Sequence, residues 1–202
     1  MAIPKPNLYF EQLLWQKKYQ HIAGIDEVGR GCLAGPVVAA AVILPQGHTI
    51  AGIHDSKMLS PKKREIVEKD IYAQAIAVGI GVVEPQVIDE INILQASIVA
   101  MKQAIVLLRV QPHYLLVDGN LKPISRLPQL SIVQGDRKSQ SIAAASIVAK
   151  VFRDRLMDSY HQRYPHYGFL TNKGYPTSEH VAALRRHGST DIHRKTFQGV
   201  RV

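Results

Sequence analysis

The segment Ile22 to Leu44 constrains the fold more than any other part of this 202-residue chain. It contains two short apolar runs rich in β-branched residues, and a loop with several glycines separates them. Both runs are too short for helices of ordinary length, so they predict two paired strands joined by a loop. Asp26 and Glu27 stand side by side at the end of the first run. Because an uncompensated acid in an apolar strand is costly, this pair indicates a metal ion nearby.

Neighbouring side chains of a regular strand point to opposite faces, so Asp26 and Glu27 could not share one site in an ideal strand. Gly29 and Gly31 follow directly and permit local distortion of the backbone. We therefore expect a distortion that turns both carboxylates towards one point.

The positive charge of the chain is concentrated near its end. Residues 1–136 contain 13 Lys and Arg against 12 Asp and Glu, a net of +1, whereas residues 137–202 contain 12 against 4, a net of +8. A basic excess confined to one region is typical of a surface that holds a polyanion. The alternative is a solvated basic face that favours solubility. Arg153 and Arg155 are predicted on an exposed helix face, where they either line a nucleic-acid groove or are simply solvated.

The remaining composition is that of an ordinary globular protein. Cys32 is the single cysteine, so no internal disulfide is possible and a reducing compartment is expected. The N-terminal residues lack the uninterrupted apolar core of a signal peptide. The apolar run Val37 to Leu44 has 8 residues, against roughly 20 needed to cross a bilayer. These features predict a cytoplasmic protein with no membrane partner, and we expect it to be a monomer.

Hydrophobic periodicity predicts further elements beyond the first two strands. Helices are expected from Ser60-Pro61, from Pro85 to Pro112, over residues 139–160 and over residues 178–186. Strands are expected over residues 75–83, 114–117 and 130–133. This order mixes a hairpin with crossover connections, and it implies a mixed sheet covered by helices on both faces.

Three of the predicted strands finish on acids: Asp26-Glu27, Asp118 and Asp136. The tips of neighbouring strands are where a fold brings distant residues together. Four carboxylates so close would repel one another unless cations lay among them, and all-oxygen ligands favour Mg²⁺ or Mn²⁺ over zinc. Such a site suits phosphodiester hydrolysis by two metal ions roughly 4 Å apart. The alternative for Asp118 and Asp136 is a pair of plain turns, since Asp, Asn and Gly dominate turns.

These residues also match a known family. From about His21 to Phe197 the chain closely resembles bacterial ribonuclease HII, the type 2 ribonuclease H. The matching pieces are GIDEVGRG (24–31), AGPVVAAAVIL (34–44), DSK (55–57), VDGN (117–120), GD (135–136), SIAAASIVAK (141–150), YGF (167–169) and KGYPT (173–177). GIDEVGRG together with a distant KGYPT is highly specific. One departure is Cys32, which stands where the family commonly has proline.

The resemblance implies a ribonuclease H-like α/β fold, with a mixed five-stranded sheet flanked by helices and a C-terminal helical extension. It divides the chain into an N-terminal arm (1–20), a catalytic domain (21–160) and the helical extension (161–202) packed on the same domain. The implied enzyme uses Mn²⁺ or Mg²⁺ to cut the RNA strand of RNA–DNA hybrids. It also incises duplex DNA 5′ to embedded ribonucleotides, leaving 3′-hydroxyl and 5′-phosphate ends.

The resemblance also assigns site residues. The catalytic and metal-binding acids of the family fall on Asp26, Glu27, Asp118 and Asp136. Its substrate-binding loop falls on Gly29, Arg30 and Gly31, and its junction-sensing tyrosine falls on Tyr175. The residues themselves add Lys57, which either contacts a phosphate or is a solvated lysine in a polar loop.

Two other classes of function stay open on the residues alone. A DNA strand-transfer enzyme or resolvase can use the same acidic sheet geometry without requiring a ribose. A non-catalytic nucleic-acid binder would need the basic region but not the acids.

Overall fold

The fold centres on a five-stranded mixed sheet with strand order β3-β2-β1-β4-β5. The structure, a computed structural model, describes residues 5–121 and 124–200. Strand β1 pairs antiparallel with β2 and parallel with β4; β2 pairs antiparallel with β3, and β4 pairs parallel with β5. The strands are β1 (Ile22–Val28), β2 (Val37–Ile43), β3 (Ala77–Val83), β4 (Tyr114–Asp118) and β5 (Gln129–Ile132). The predicted mixed α/β sheet is confirmed.

Helices cover both faces of this sheet, because its central strands are apolar on both sides. Along β2 the alternate residues Ala39 and Ala41 pack with the helix on one face, whereas Val38 and Ala40 pack with the helices on the other. The helices are α1 (Tyr9–Gln16), α2 (Pro61–Gln74), α3 (Pro85–Val106), α4 (Gln140–Arg163), α5 (Phe169–Asn172) and α6 (Ser178–His187). In the described part of the chain, no helix combines the length and the apolar character that spanning a membrane requires.

Helix α4 lies unusually close to β1. A Cβ atom placed on Gly24 would be 2.1 Å from the carbonyl carbon of Ser141 and 2.3 Å from the nitrogen of Ile142. The small residues Ala143, Ala144 and Ala145 are fully buried in the next turn. The glycine and the alanines therefore fix how closely the helix backbone approaches the central strand.

The first strand is more regular than expected. Asp26 pairs with Ala40 and Glu27 pairs with Ala39, in a continuous antiparallel register that extends to Val28. The predicted distortion at the two acids is therefore wrong. The change of backbone direction comes after the strand, at Gly29, which has a φ of +95°.

Helix α3 differs from its predicted form. Asn92 has a φ of 66° and a ψ of 163°, which interrupts the helix, and its Oδ1 accepts hydrogen bonds from the amides of Leu94 and Gln95. After this interruption the buried face shifts, so Leu94 is 42% exposed while Ala96 is buried. The helix predicted from Pro85 to Pro112 is therefore interrupted, because the side chain of Asn92 starts a new helical phase.

The N-terminal helix is anchored through a buried acid that the sequence did not single out. Glu11 Oε1 accepts hydrogen bonds from the hydroxyls of Ser139 and Ser141, both at 2.6 Å, and from the amide of Ser141 at 3.0 Å. Ser139 also caps α4, since its hydroxyl accepts from the amide of Ile142, as expected of a serine at this position. The start of α4 is thus fixed both to the arm and to β1.

We predict that Gly24→Ala lowers the free energy of unfolding by about 3 kcal/mol or prevents folding, because backbone atoms of α4 occupy the space of the added methyl group. Gly31→Ala is the matched control, since a Cβ there has no neighbour within 4 Å. Urea denaturation of both variants measures the difference. Equal stability of the two variants would contradict this account of the β1–α4 contact.

Candidate active site

The acids predicted from the sequence converge at one edge of the sheet. Because β1, β4 and β5 are parallel, their C-terminal ends lie along the same edge. Asp26 and Glu27 lie in β1, and Asp118 is the last residue of β4. Asp136 lies in a short 3₁₀ turn (Gly135–Arg137) beyond β5, after Gln134 in a left-handed conformation. The predicted clustering at strand ends therefore holds, with Asp136 on a turn rather than on a strand tip.

A cavity of about 200 Å³ lies at this edge. Asp26 and Glu27 both contribute to its wall, although they are consecutive residues of β1. Asp136 is adjacent, because Lys57 Nζ lies 3.4 Å from its Oδ2. The lining residues are Asp26, Glu27, Val28, Ser56, Lys57, Asp118, Ser146, Lys150 and Tyr175.

Burial raises the pKa of each acid that lines this cavity. The pKa of Asp26 lies well above its usual value because the carboxyl group is buried, and repulsion from Glu27 and Asp118 adds to the effect. Burial also raises the pKa of Glu27, although Arg30 Nη1 donates to its Oε1 at 3.1 Å and opposes the shift. Burial also raises the pKa of Asp118. The amide of Gly135, which donates to Oδ1 at 2.6 Å, opposes this rise. The cavity therefore favours a bound cation.

The donor set fits a hard divalent ion, since all the acids offer oxygen and the cavity presents no thiolate or imidazole. Across residues 5–121 and 124–200, no three side chains of Asp, Glu, His or Cys already surround a single point. The carboxylates have other partners here: Glu27 pairs with Arg30, and Asp136 pairs with Lys57. These two basic side chains supply part of the positive charge that the acids require.

The predicted substrate-binding residues lie around the same cavity. Tyr175 lines it from the turn between α5 and α6, with its side chain 38% exposed. Burial raises the pKa of Tyr175, and the neighbouring Cys32 adds to the shift. The loop that contains Gly29, Arg30 and Gly31 joins the site through the contact of Arg30 with Glu27. The structure therefore brings Tyr175, Lys57 and the loop together with the acids.

Of the two arginines predicted on an exposed face, Arg155 is exposed and Arg153 is not. Arg153 is fully buried, because α4 is covered there by the loop after β1 and by the turn after α5. Arg155 is exposed as predicted, and its guanidinium bonds to both carboxylate oxygens of Glu68, at 2.9 and 2.6 Å. The expectation of an exposed Arg153 in a nucleic-acid groove is therefore wrong.

Sequence reasoning missed several residues that hold the site in place. Ser146 on α4 forms a hydrogen bond with Asp26 that opposes the rise in its pKa, and its hydroxyl lies 3.0 Å from that of Ser56. Asp55 is buried and accepts from the amide of Lys57 and from Arg137 Nε, both at 2.9 Å. Asp55 thus links the loop carrying Lys57 to the turn carrying Asp136. A capping aspartate at the start of a polar loop was the available signal for this residue.

Comparison with known proteins extends these observations. The family model described as Ribonuclease HII matches residues 23–200. A curated protein named Ribonuclease HII from Geotalea uraniireducens is 56% identical over 198 residues, covering 98% of this chain and 92% of that protein. The crystal structure of ribonuclease H2 from Pyrococcus horikoshii OT3 superposes with a TM-score of 0.77 at 27% identity, covering 90% of this chain and 95% of that one.

A more distant structure shares the fold alone. Bst-RNase HIII, crystallised in complex with Mn²⁺, is 18% identical and superposes with a TM-score of 0.70, covering 91% of this chain and 68% of that one. The likeness therefore extends from close relatives to structures in which only the arrangement of strands and helices is kept. Together with the nearly full-length family match, it shows that this chain belongs to the ribonuclease HII family and is a ribonuclease H enzyme.

Proposed function

We propose that the chain cleaves the RNA strand of RNA–DNA hybrids and incises duplex DNA 5′ to an embedded ribonucleotide, leaving 3′-hydroxyl and 5′-phosphate ends. The observation that carries this proposal is the single cavity shared by carboxylates of β1 and β4 and by Tyr175. It combines a site for cations with an aromatic hydroxyl that can contact a sugar. The lone cysteine fits action in the reducing cytoplasm.

The four acids are proposed to hold divalent ions, either Mg²⁺ or Mn²⁺. When bound, a pair of such ions activates the attacking water and stabilises the leaving oxygen. Asp26 and Asp118 suit this role, because burial and mutual repulsion make their charged forms unfavourable without a cation. Asp136 would complete the set from the adjacent turn. The Mn²⁺ complex of the related fold in Bst-RNase HIII supports the choice of metal.

Lys57 is proposed to contact a phosphate beside the scissile bond. Its side chain is 76% exposed at the rim, although its ammonium reaches Asp136. Burial lowers the pKa of Lys57, but attraction to Asp136, Asp55 and Asp26 outweighs this effect and leaves the pKa raised. The group is therefore cationic at neutral pH, as binding to a phosphate requires.

The ribose is proposed to be recognised by two elements at once. The 2′-hydroxyl is the group that separates a ribonucleotide from its deoxy neighbours, and it both donates and accepts hydrogen bonds. Backbone groups of Gly29, Arg30 and Gly31 are proposed to approach it, because the glycines carry no side chain and the space beside Gly31 is open. Tyr175 would approach from the opposite loop, with its ring against the sugar and its hydroxyl near the cavity.

A strand-transfer enzyme or resolvase is the alternative function for this fold. An incision assay distinguishes the two functions. It compares a duplex containing one ribonucleotide with the same duplex made entirely of DNA, each incubated with Mn²⁺ and with EDTA. Incision of the first duplex alone, and with Mn²⁺ alone, supports the proposal. Incision of the all-DNA duplex would select the alternative.

We predict that Asp118→Asn lowers the rate of incision at least a thousandfold, because the substitution removes a charged ligand without changing its size. In EDTA at neutral pH the variant should melt a few degrees higher than the wild type. The reason is that the pKa values of Asp26 and Asp118 are higher in the folded protein than in the unfolded chain. Stability is therefore lost as pH rises from the unfolded value through the folded one. The gain should disappear below about pH 4, where free carboxyl groups are themselves protonated.

The matched control for this prediction is Asp70→Asn, which neutralises an exposed aspartate on α2. It should change neither incision nor the melting temperature in EDTA. Activity assays and calorimetry across pH measure both properties. An Asp118→Asn enzyme with a normal rate would remove Asp118 from the site.

We also predict that Tyr175→Phe loses part, and Tyr175→Ala most, of the incision at a single ribonucleotide. Binding to plain duplex DNA should barely change, because phosphate contacts dominate it. Tyr72 on α2 is 50% exposed and serves as the control, since Tyr72→Ala should leave incision unchanged. Single-turnover rates and a binding titration measure the two effects. If Tyr175→Ala cuts at the wild-type rate, the ribose is recognised elsewhere.

A further inference from the structure

The two segments proposed to recognise the ribose are in direct backbone contact. One is the first loop, residues 29–36 after β1, and the other is the tyrosine turn, residues 172–177. The amide of Leu33 donates to the carbonyl of Gly174 at 2.8 Å. A Cβ placed on Gly174 would lie 2.5 Å from the carbonyl oxygen of Ala34, and its φ is +85°. The approach is therefore too close to admit a side chain at this position.

Arg153 lies beneath this contact and bonds to both segments. Its Nε donates to the carbonyl of Pro36 at 2.9 Å, and Nη2 donates to that of Ala34 at 3.0 Å. Its Nη1 donates to the carbonyl of Lys173 at 2.8 Å. A Cβ placed on Gly29 would lie 2.3 Å from Arg153 Nε. The guanidinium therefore bridges the two segments and also explains why a glycine is required at position 29.

Burying this charge is costly, since every hydrogen bond that the structure shows for Arg153 goes to a backbone carbonyl. Such a residue is a poor source of stability compared with a packed apolar side chain. The contribution of Arg153 is to hold its acceptors at fixed distances, because the guanidinium is rigid and planar and its three nitrogens donate in fixed directions. A lysine keeps the charge, but its three N–H donors lie on one nitrogen, so it cannot span the three carbonyls that three separate nitrogens of Arg153 reach.

A second buried arginine provides an internal comparison. Arg194 donates from Nη1 to the carbonyl of Arg30 at 3.0 Å, and from Nε and Nη2 to that of Gly35 at 3.0 and 2.9 Å. These acceptors all lie in the first loop. Arg194 therefore supports one of the two segments, whereas Arg153 supports both.

We propose that Arg153 is a positioning residue that sets the distance between the first loop and the tyrosine turn, so that both reach the same ribose. This inference rests on the proposed recognition of the ribose by those two segments. Arg153 is fully buried and is absent from the lining of the cavity, so it acts through Tyr175 and the loop rather than on the substrate.

Hydrogen–deuterium exchange in EDTA tests the bridge without relying on activity. Arg153→Lys should raise exchange at least tenfold at Leu33 in the first loop and at Gly174 and Tyr175 in the turn. Arg194→Lys should raise it in the first loop alone. Arg155→Lys, on the same helix and paired with Glu68, should raise it in neither. If Arg153→Lys affects one segment or none, the bridge is refuted.

A double-mutant cycle tests whether Arg153 acts through Tyr175. Arg153→Lys and Tyr175→Phe should each slow incision at a single ribonucleotide about tenfold, and the double variant should be no more than about twice as slow as the slower single variant. Losses that multiply to about a hundredfold would show independent roles and overturn the inference. A wild-type enzyme that cuts the all-DNA twin equally well would instead overturn the proposed function.

Gly174→Ala serves as the second variant if Arg153→Lys does not fold. It separates the two segments while leaving the guanidinium in place, because its Cβ would meet the carbonyl of Ala34. It should slow incision at least tenfold, again without multiplying the effect of Tyr175→Phe. Normal incision by Gly174→Ala would show that the spacing of the two segments does not matter.

Discussion

Burial of negative charge at the end of β1 is the constraint on which the site depends. Asp26 is buried beside Glu27 and Asp118, and the pKa values of all three carboxyl groups are raised. Such a cluster opposes folding at neutral pH unless positive or polar groups surround it. The surrounding loops supply them, since Arg30 reaches Glu27 and the amide of Gly135 reaches Asp118. The loops therefore serve the acids as much as they connect the strands.

Helix α4 is the element that joins the parts of the site. Ser146 contacts Asp26, Lys150 lines the cavity, and Arg153 supports the two loops above. These residues follow one another at spacings of four and three, so they lie along one face of the helix. The close contact of α4 with Gly24 fixes that face relative to β1. A shift of the helix would therefore displace the partner of Asp26, part of the cavity wall and the loop support together.

Much of this arrangement could be predicted from the sequence, and the failures have identifiable causes. The strands and the acids at their ends were accessible because apolar runs and acidic residues are local patterns. The interruption at Asn92 was not, since it depends on the amide oxygen of that side chain accepting two backbone bonds. Arg153 is predicted on an exposed face, in a groove or in solvent, because a basic residue on a helix is usually exposed. Its burial depends on carbonyls of residues 34, 36 and 173, which no local pattern connects.

A second set of hydrogen bonds also holds the tyrosine turn. The amide of Thr190 can only donate, so His193 Nδ1 accepts and its Nε2 must carry the proton that is shared with His180 Nε2 at 3.0 Å. The carbonyl of Tyr175 can only accept, so His180 Nδ1 carries the other proton. Every position in this set is satisfied when both rings are neutral.

The neutral state of this pair is strongly preferred. Burial and the neighbouring His180 lower the pKa of His193 to about 4, and burial lowers that of His180 as well. A histidine with a lowered pKa contributes stability above its unfolded value near 6.5, and this contribution is lost as pH falls through the folded pKa. The turn carrying Tyr175 therefore keeps its support throughout the neutral range, from His180 at the carbonyl of Tyr175 and from Arg153 at the carbonyl of Lys173. The position of Tyr175 thus depends on buried groups supplied by α4, α6 and the C-terminal segment, all distant in sequence from the acids that they serve.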